Sequence, residues 1–122
     1  MISRRTVLLS AALCLAPLPT FAHAYLVKAS PAQRAMLFAA PDHVELWFNE
    51  RLEAAFCSLQ VLDASDKPVD KGDMKVDKDD PKHLSVGLNP LSAGTYTVKF
   101  RVLSVDGHVV NSQFAFTIRG KR

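Results

Sequence analysis

Apolar and polar residues alternate along most of this chain, and this period of two limits the possible folds more than any other feature. The clearest case is segment 95–102, in which Tyr96, Val98, Phe100 and Val102 alternate with polar residues. Side chains at every second position lie on the same face of a β-strand. No segment has the sustained apolar spacing at i, i+3, i+4 and i+7 that indicates an amphipathic helix. The pattern therefore predicts an all-β domain with little or no helix.

The same alternation, interrupted by turn residues, predicts about seven strands. Besides segment 95–102, we expect strands over residues 24–28, 44–48, 57–61, 84–88 and 114–118, and a short edge strand near Met74 and Val76. Short strands at close intervals favour an antiparallel sandwich or small barrel. Tyr96 follows Leu91 with the spacing of a tyrosine corner, in which the tyrosine hydroxyl bonds back across a Greek-key arch. A plain turn followed by a core tyrosine is the alternative, and it gives the same fold class.

Residues 1–22 have the features of a secretory signal peptide. Arg4 and Arg5 precede an apolar stretch, and small residues stand at Thr20 and Ala22, the positions that precede a cleavage site. The apolar stretch is shorter than the roughly 20 residues that span a bilayer. Export by the Sec route or the twin-arginine route is compatible with this segment.

Cleavage after Ala22 would leave a single domain over residues 23–122 that begins with His23. Cleavage after Ala24 is the alternative, and it would remove that histidine. Of the two cysteines only Cys57 would remain, so no intramolecular disulfide is expected. We expect Cys57 to be a small apolar core residue.

The charge of the mature chain is nearly balanced. Two of the 15 basic residues, Arg4 and Arg5, lie in the signal segment, and all 12 acidic residues follow it, so the formal net charge falls from +3 to +1. The sequence has no basic stripe, aromatic platform or zinc-finger spacing, which argues against nucleic-acid binding.

Asp106 and His108 form the most suggestive polar pair. If their segment is extended, side chains two residues apart project to the same side, while Val105 and Val109 turn toward a core. Gly107 between them adds no bulk and permits a kink. A surface strand end with two polar groups is the alternative interpretation.

A histidine at the start of the mature chain makes this pair more informative. After cleavage, His23 would offer its α-amine and a ring nitrogen to one ion. With His108 and Asp106 the set becomes three nitrogens and one oxygen, a donor set that favours copper(II). Zinc is the alternative metal, although it would need a tetrahedral arrangement.

Four stretches of the sequence resemble the CopC family of small periplasmic copper-binding proteins, and together they extend over nearly all of the mature chain. By this resemblance His23, Asp106 and His108 correspond to the family's copper(II) ligands. Glu50 corresponds to an acidic residue beside that site, where we expect it to orient the amine or ring of His23. The stretches are His23-Ala24-Tyr25-Leu26-Val27-Lys28-Ala29-Ser30-Pro31-Ala32, Val44-Glu45-Leu46-Trp47-Phe48-Asn49-Glu50, Ala93-Gly94-Thr95-Tyr96-Thr97-Val98 and Ser104-Val105-Asp106-Gly107-His108.

The resemblance implies an immunoglobulin-like Greek-key β fold. It also implies a monomeric periplasmic protein that is not an enzyme and that stores copper or delivers it to an inner-membrane copper transporter. Some family members carry a methionine-rich loop for copper(I), but the mature chain has only Met36 and Met74, far apart in sequence. We therefore expect both methionines to be core residues and expect no separate copper(I) site.

Two functions of other classes remain open at this point. A mono-copper histidine-brace oxygenase would use the same His23 and His108, but it needs an open coordination position that Asp106 would fill. In a metal-free immunoglobulin-like interaction module, Asp106 and His108 would be ordinary surface residues of a loop with no role as metal ligands. We expect His43 and His83 to be solvated polar residues rather than ligands.

Overall fold

The structure, a computed structural model, describes residues 24–120, and these residues form eight β-strands and one short turn of 3-10 helix. The predicted all-β class is confirmed, with eight strands where about seven were expected. None of the described residues belongs to a helix long and apolar enough to cross a membrane. The elements are β1 (Leu26–Ser30), β2 (Met36–Leu37), β3 (His43–Phe48), the 3-10 turn (Ala54–Phe56), β4 (Ser58–Leu62), β5 (Lys75–Val76), β6 (His83–Gly87), β7 (Gly94–Leu103) and β8 (Val109–Ile118).

The strands form two four-stranded sheets packed as a sandwich. The first sheet has the order β1-β3-β6-β5 and the second has the order β2-β8-β7-β4. The chain crosses between the sheets after β1, β2, β3, β4 and β6, as expected for the predicted Greek-key arrangement. The longest pairing is the β7–β8 hairpin, which runs in continuous register from Gly94 opposite Ile118 to Leu103 opposite Val109. This hairpin ends in the turn that carries Asp106 and His108.

The core lies between the two sheets and is built from the alternating apolar residues. In β3, Val44, Leu46 and Phe48 are buried while the residues between them are partly exposed. Across the sandwich the Phe48 ring meets the Phe100 ring edge-on, with 5.7 Å between ring centroids. Cys57 is half-buried at the margin of this core, in keeping with the prediction, and burial raises the pKa of its thiol.

Strands β1 and β2 differ from the sequence prediction. The first strand was expected over residues 24–28, but it covers Leu26–Ser30. Its burial pattern shows no strict alternation, and its pairing with β3 is irregular between Leu26 and Lys28, so the sequence pattern marked its limits poorly. The two-residue strand β2 was not predicted, because two residues cannot show a period. It pairs in parallel with the end of β8.

Met36 and Met74 have different environments. Met74 packs against the core, as predicted. The prediction was wrong for Met36, which is exposed on β2. The reason is the period of two on β2: Leu37 packs against the core, so its neighbour Met36 points away from the core.

The tyrosine corner is present. The Tyr96 hydroxyl donates a hydrogen bond of 2.7 Å to the carbonyl oxygen of Ser92, and the ring is buried against Phe116.

Tyr96→Phe should lower the free energy of unfolding by about 1 kcal/mol, because it removes this hydrogen bond and leaves the Ser92 carbonyl without that donor. Urea denaturation measures the change. Tyr25→Phe alters an exposed tyrosine and is the matched control; equal effects of the two changes would contradict the assigned role.

The turn after β4 makes the fold sensitive to acid. One carboxylate oxygen of Asp63 accepts the backbone N–H groups of Ser65 and Lys67, at 2.8 and 3.0 Å. These bonds hold the pKa of Asp63 below its ordinary value of 3.8, the bond from Lys67 most strongly. The unfolded chain therefore binds a proton more readily than the folded chain. This contribution to stability is present above about pH 4 and is lost as the pH falls through the lower folded pKa.

Asp63→Asn should weaken that acid sensitivity, because asparagine keeps an acceptor oxygen but does not titrate. We expect the drop in melting temperature between about pH 5 and about pH 2.5 to be smaller in this variant than in the wild type. Asp66→Asn removes a charge from the same turn and is the control. An unchanged drop in Asp63→Asn would show that the bonds to Asp63 do not contribute.

Candidate metal site

The segment that carries Asp106 and His108 is a turn, not the extended strand that was predicted. It joins β7 to β8 over residues 104–108, and the backbone N–H of Gly107 bonds to the carbonyl of Ser104 at 2.9 Å. Gly107 has a φ of 88°, in the left-handed region that favours glycine. The i, i+2 rule for strands therefore does not apply to Asp106 and His108.

The predicted inward position of two valines is also wrong. Val105 and Val109 are 48% and 51% exposed. Val105 lies in the turn, and Val109 is the first residue of β8, beyond the end of the core. Both side chains lie on the surface around the turn that carries His108.

The structure brings Glu50 to His108, although 58 residues separate them in sequence. Glu50 follows β3 in the first sheet, and His108 lies at the tip of the hairpin in the second sheet. His108 Nδ1 and Glu50 Oε2 are 3.1 Å apart, with 28% and 12% of their side chains exposed. When Nδ1 carries the proton and donates it to Glu50, the ring's lone pair is on Nε2, the nitrogen that would bind a metal ion.

The surroundings of Glu50 favour its charged form. The hydrogen bond from His108 is the main reason that the pKa of Glu50 lies below its ordinary value of 4.5. Ser104 and Asp106 lie close enough to lower this pKa further, while desolvation acts in the opposite direction. Glu50 is thus held as a carboxylate that can orient an imidazole. The sequence prediction had assigned it to His23, whereas in the described part of the chain it contacts His108.

The start of the described chain is fixed beside the same residues. The side-chain oxygen of Asn49 accepts the backbone N–H of Tyr25 at 2.6 Å, and the backbone N–H of Asn49 donates to the Tyr25 carbonyl at 3.1 Å. Ala24 is buried. Asn49 directly precedes Glu50, so the chain enters the fold next to the carboxylate that contacts His108. His23 itself lies outside the described residues.

The described residues supply part of the predicted donor set. Asp106 is exposed in the turn and His108 is half-buried beside it. Within residues 24–120, no three histidine, cysteine, aspartate or glutamate side chains form a group that could hold a metal ion. The proposed set includes His23, which would complete it from outside these residues. From the sequence, no role was assigned to Asn49 or Ser104. Their contacts join segments that are far apart in sequence, and the local sequence around each residue does not indicate such contacts.

The other two histidines differ from each other. His43 is exposed and bonds to Asp42, as expected for a solvated residue. The prediction was wrong for His83, whose side chain is only 14% exposed. Its Nε2 lies 3.1 Å from Glu45 and its Nδ1 lies 3.3 Å from Asp77, because β6 pairs with β3 and the β5–β6 loop folds over its end.

Trp47 explains the rest of the environment of His83. The two rings stack with 4.4 Å between centroids and an angle of 6°, and the ammonium group of Lys28 lies 4.8 Å from the indole centroid. Trp47 thus occupies the outer, half-covered face of the first sheet. Near it a surface groove of about 620 Å³ is lined by Glu45, Asp77, His83 and other residues. Neither Glu50 nor His108 lines this groove.

Comparison with known proteins places this sandwich in a family. The model of the CopC domain family matches residues 26–119. The chain therefore belongs to the CopC family. The copper transport protein CutJ of Bacillus subtilis is 35% identical over 84% of this chain, and the chain spans 19% of the length of that relative.

Two solved structures are similar over nearly their whole length. The structure of CopC from Methylosinus trichosporium OB3b has a TM-score of 0.75 and 39% identity, and the match covers 82% of this chain and 97% of that one. The structure of PcoC, a methionine-rich copper resistance protein from Escherichia coli, has a TM-score of 0.69 and 30% identity. That match covers 80% of this chain and all of PcoC.

Proposed function

We propose that this protein is a periplasmic copper(II)-binding protein, with His23, Asp106 and His108 as ligands and Glu50 as the residue that orients His108. The observation that carries the proposal is the 3.1 Å contact between Glu50 and His108, at the point where Asn49 fixes the start of the chain. Membership of the CopC family and the names of the relatives support a copper-related function.

The donor atoms fit copper(II) better than copper(I). Imidazole and amine nitrogens with a carboxylate oxygen suit copper(II), whereas copper(I) prefers thiolate and thioether sulfur. Met36 and Met74 lie on β2 and beside β5, in different sheets, so they do not form a soft site together. The Cys57 thiol has a raised pKa, which disfavours the thiolate that a metal requires.

Export would create the site by making a new chain end. Cleavage of the signal peptide after Ala22 would free the α-amine of His23, two residues before the Tyr25 that Asn49 holds. The α-amine and the coordinating ring nitrogen of each histidine must be unprotonated in order to bind the ion. Binding should therefore release protons and weaken in acid. N-terminal mass analysis of the exported protein tests the cleavage position, and a mature form that starts at Tyr25 would contradict this route.

The bound ion would be cargo. In this proposal Asp106 offsets part of its charge and fills a coordination position, which disfavours oxygen activation, so the protein is a carrier or store rather than an enzyme. Delivery would be to an inner-membrane copper transporter. The name of the relative CutJ, a copper transport protein, supports a link of this kind.

The test is a copper(II) titration of the mature protein that begins at His23, in competition with a chelator of known affinity. We expect one copper(II) per chain, and a loss of affinity in both His23→Ala and His108→Ala. His43→Ala changes an exposed histidine and is the control. Equal affinities in the wild type, His23→Ala and His108→Ala would support the metal-free interaction module. Copper-dependent oxidation of a polysaccharide in the presence of a reductant would support the oxygenase.

A further inference from the structure

Ser104 is the most buried polar residue near the proposed copper site. It is 1% exposed, although it lies next to the exposed turn at the tip of the β7–β8 hairpin. Serine is mostly an exposed residue in proteins, and a buried hydroxyl is stabilised only where it has hydrogen-bond partners. The partners of Ser104 therefore indicate what it does.

Three hydrogen bonds join Ser104 to the turn that follows it. Its side-chain oxygen accepts the backbone N–H of His108 at 3.1 Å. Its backbone N–H donates to the His108 carbonyl, and its own carbonyl accepts the N–H of Gly107, both at 2.9 Å. The main chain of His108 is thus held on both sides by one residue.

Ser104 also connects the turn to the segment that carries Glu50. It forms an isolated antiparallel bridge with Leu52, and the next residue, Val105, donates its N–H to the carbonyl of Arg51 at 2.9 Å. Glu50 precedes Arg51 directly. The two partners of the Glu50–His108 contact are therefore fixed from a common point, which is Ser104.

We propose that Ser104 is a positioning residue for the copper(II) site, whose buried hydroxyl fixes the His108 main chain and so directs the imidazole onto Glu50. This inference rests on the proposed function. The hydroxyl does not touch the ion. It acts by restricting where the His108 ring points, in the way that residues behind metal ligands set ligand orientation.

Two variants separate this role from simple support of the fold. Ser104→Ala removes the hydroxyl at the site. Ser85→Ala removes a hydroxyl from a serine that is also buried, at 8% exposure, in β6. Ser104→Ala should weaken copper(II) binding by about 10–100-fold and should broaden or split the electron paramagnetic resonance spectrum of the bound ion. Ser85→Ala should leave affinity and spectrum unchanged, even where its melting temperature falls as far.

A measurement without copper completes the test. In the wild-type apoprotein at about pH 8, ¹⁵N chemical shifts of the neutral His108 ring should show the Nδ1–H tautomer. In Ser104→Ala they should show a mixture of tautomers. A single Nε2–H tautomer in the wild type would overturn the inference. This measurement on the wild type can be made even if Ser104→Ala does not fold.

The outcomes also distinguish this inference from the proposed function on which it rests. If the wild type binds copper(II) through His23 and His108 but Ser104→Ala matches it in affinity and spectrum, the positioning role is wrong and the function stands. If the wild type does not bind copper(II) but the tautomer responds to Ser104→Ala, the function is wrong and the orienting effect on His108 stands.

Discussion

A single glycine added before His23 at the N-terminus of the mature protein should weaken copper(II) binding by about 10²–10⁴-fold, the range by which joining two binding groups raises affinity over one. The extension keeps every side chain and removes only the α-amine from its place beside the imidazole. The amine and ring of one residue can then no longer close on the same ion. Competition titration with a chelator measures the effect.

The controls for this experiment separate metal binding from folding. The extended protein should have the melting temperature of the wild-type apoprotein, because the added residue precedes the part of the chain that packs into the core. A second extended protein with His108→Ala should lose further affinity, since the extension leaves the His108 imidazole in place as a ligand. Wild-type affinity in the glycine-extended protein would remove the α-amine from the ligand set.

Phe116→Ala should have the largest effect on stability, a loss of about 3–5 kcal/mol. Phe116 lies in β8, is 1% exposed, and stacks on Tyr96 with 5.5 Å between ring centroids. Its removal would leave a cavity between the sheets that well-packed neighbours fill only in part. Because small domains are stable by about 5–15 kcal/mol, this loss is a large part of the total. Urea denaturation gives the free energy of unfolding.

Phe38→Ala is the matched control, because it removes the same side chain from a position that is 78% exposed. We expect it to change the free energy of unfolding by less than about 0.5 kcal/mol. Similar losses in the two variants would mean that the core is not organised around the inner faces of the two sheets.

The fold was predictable because its core depends on a local pattern. Val98, Phe100 and Val102 are buried at alternate positions, and the period of two is visible in the sequence alone. The strand β2 escaped prediction because two residues carry no period. His83 was misjudged for a related reason: its burial comes from pairing with β3 and from the loop with Asp77, and neither contact is local in sequence.

The site was predictable only as a set of residue types. Asp106 and His108 were singled out as a pair, but the prediction took their segment as extended, and the turn was missed despite Gly107. The contact between Glu50 and His108 spans 58 residues and the two sheets, so no spacing rule reveals it. Resemblance pointed to Glu50, and the structure supplied its partner.

The position of the hairpin tip has a consequence for the whole domain. Glu50 and the start of the described chain belong to the first sheet, and the turn with His108 belongs to the second, so an ion bound between them would hold the two sheets together at one end of the sandwich. Uptake of copper should then appear as resistance to heat that grows with the concentration of free metal. A melting curve of the protein that begins at His23 would thus measure the fraction of the protein that holds copper.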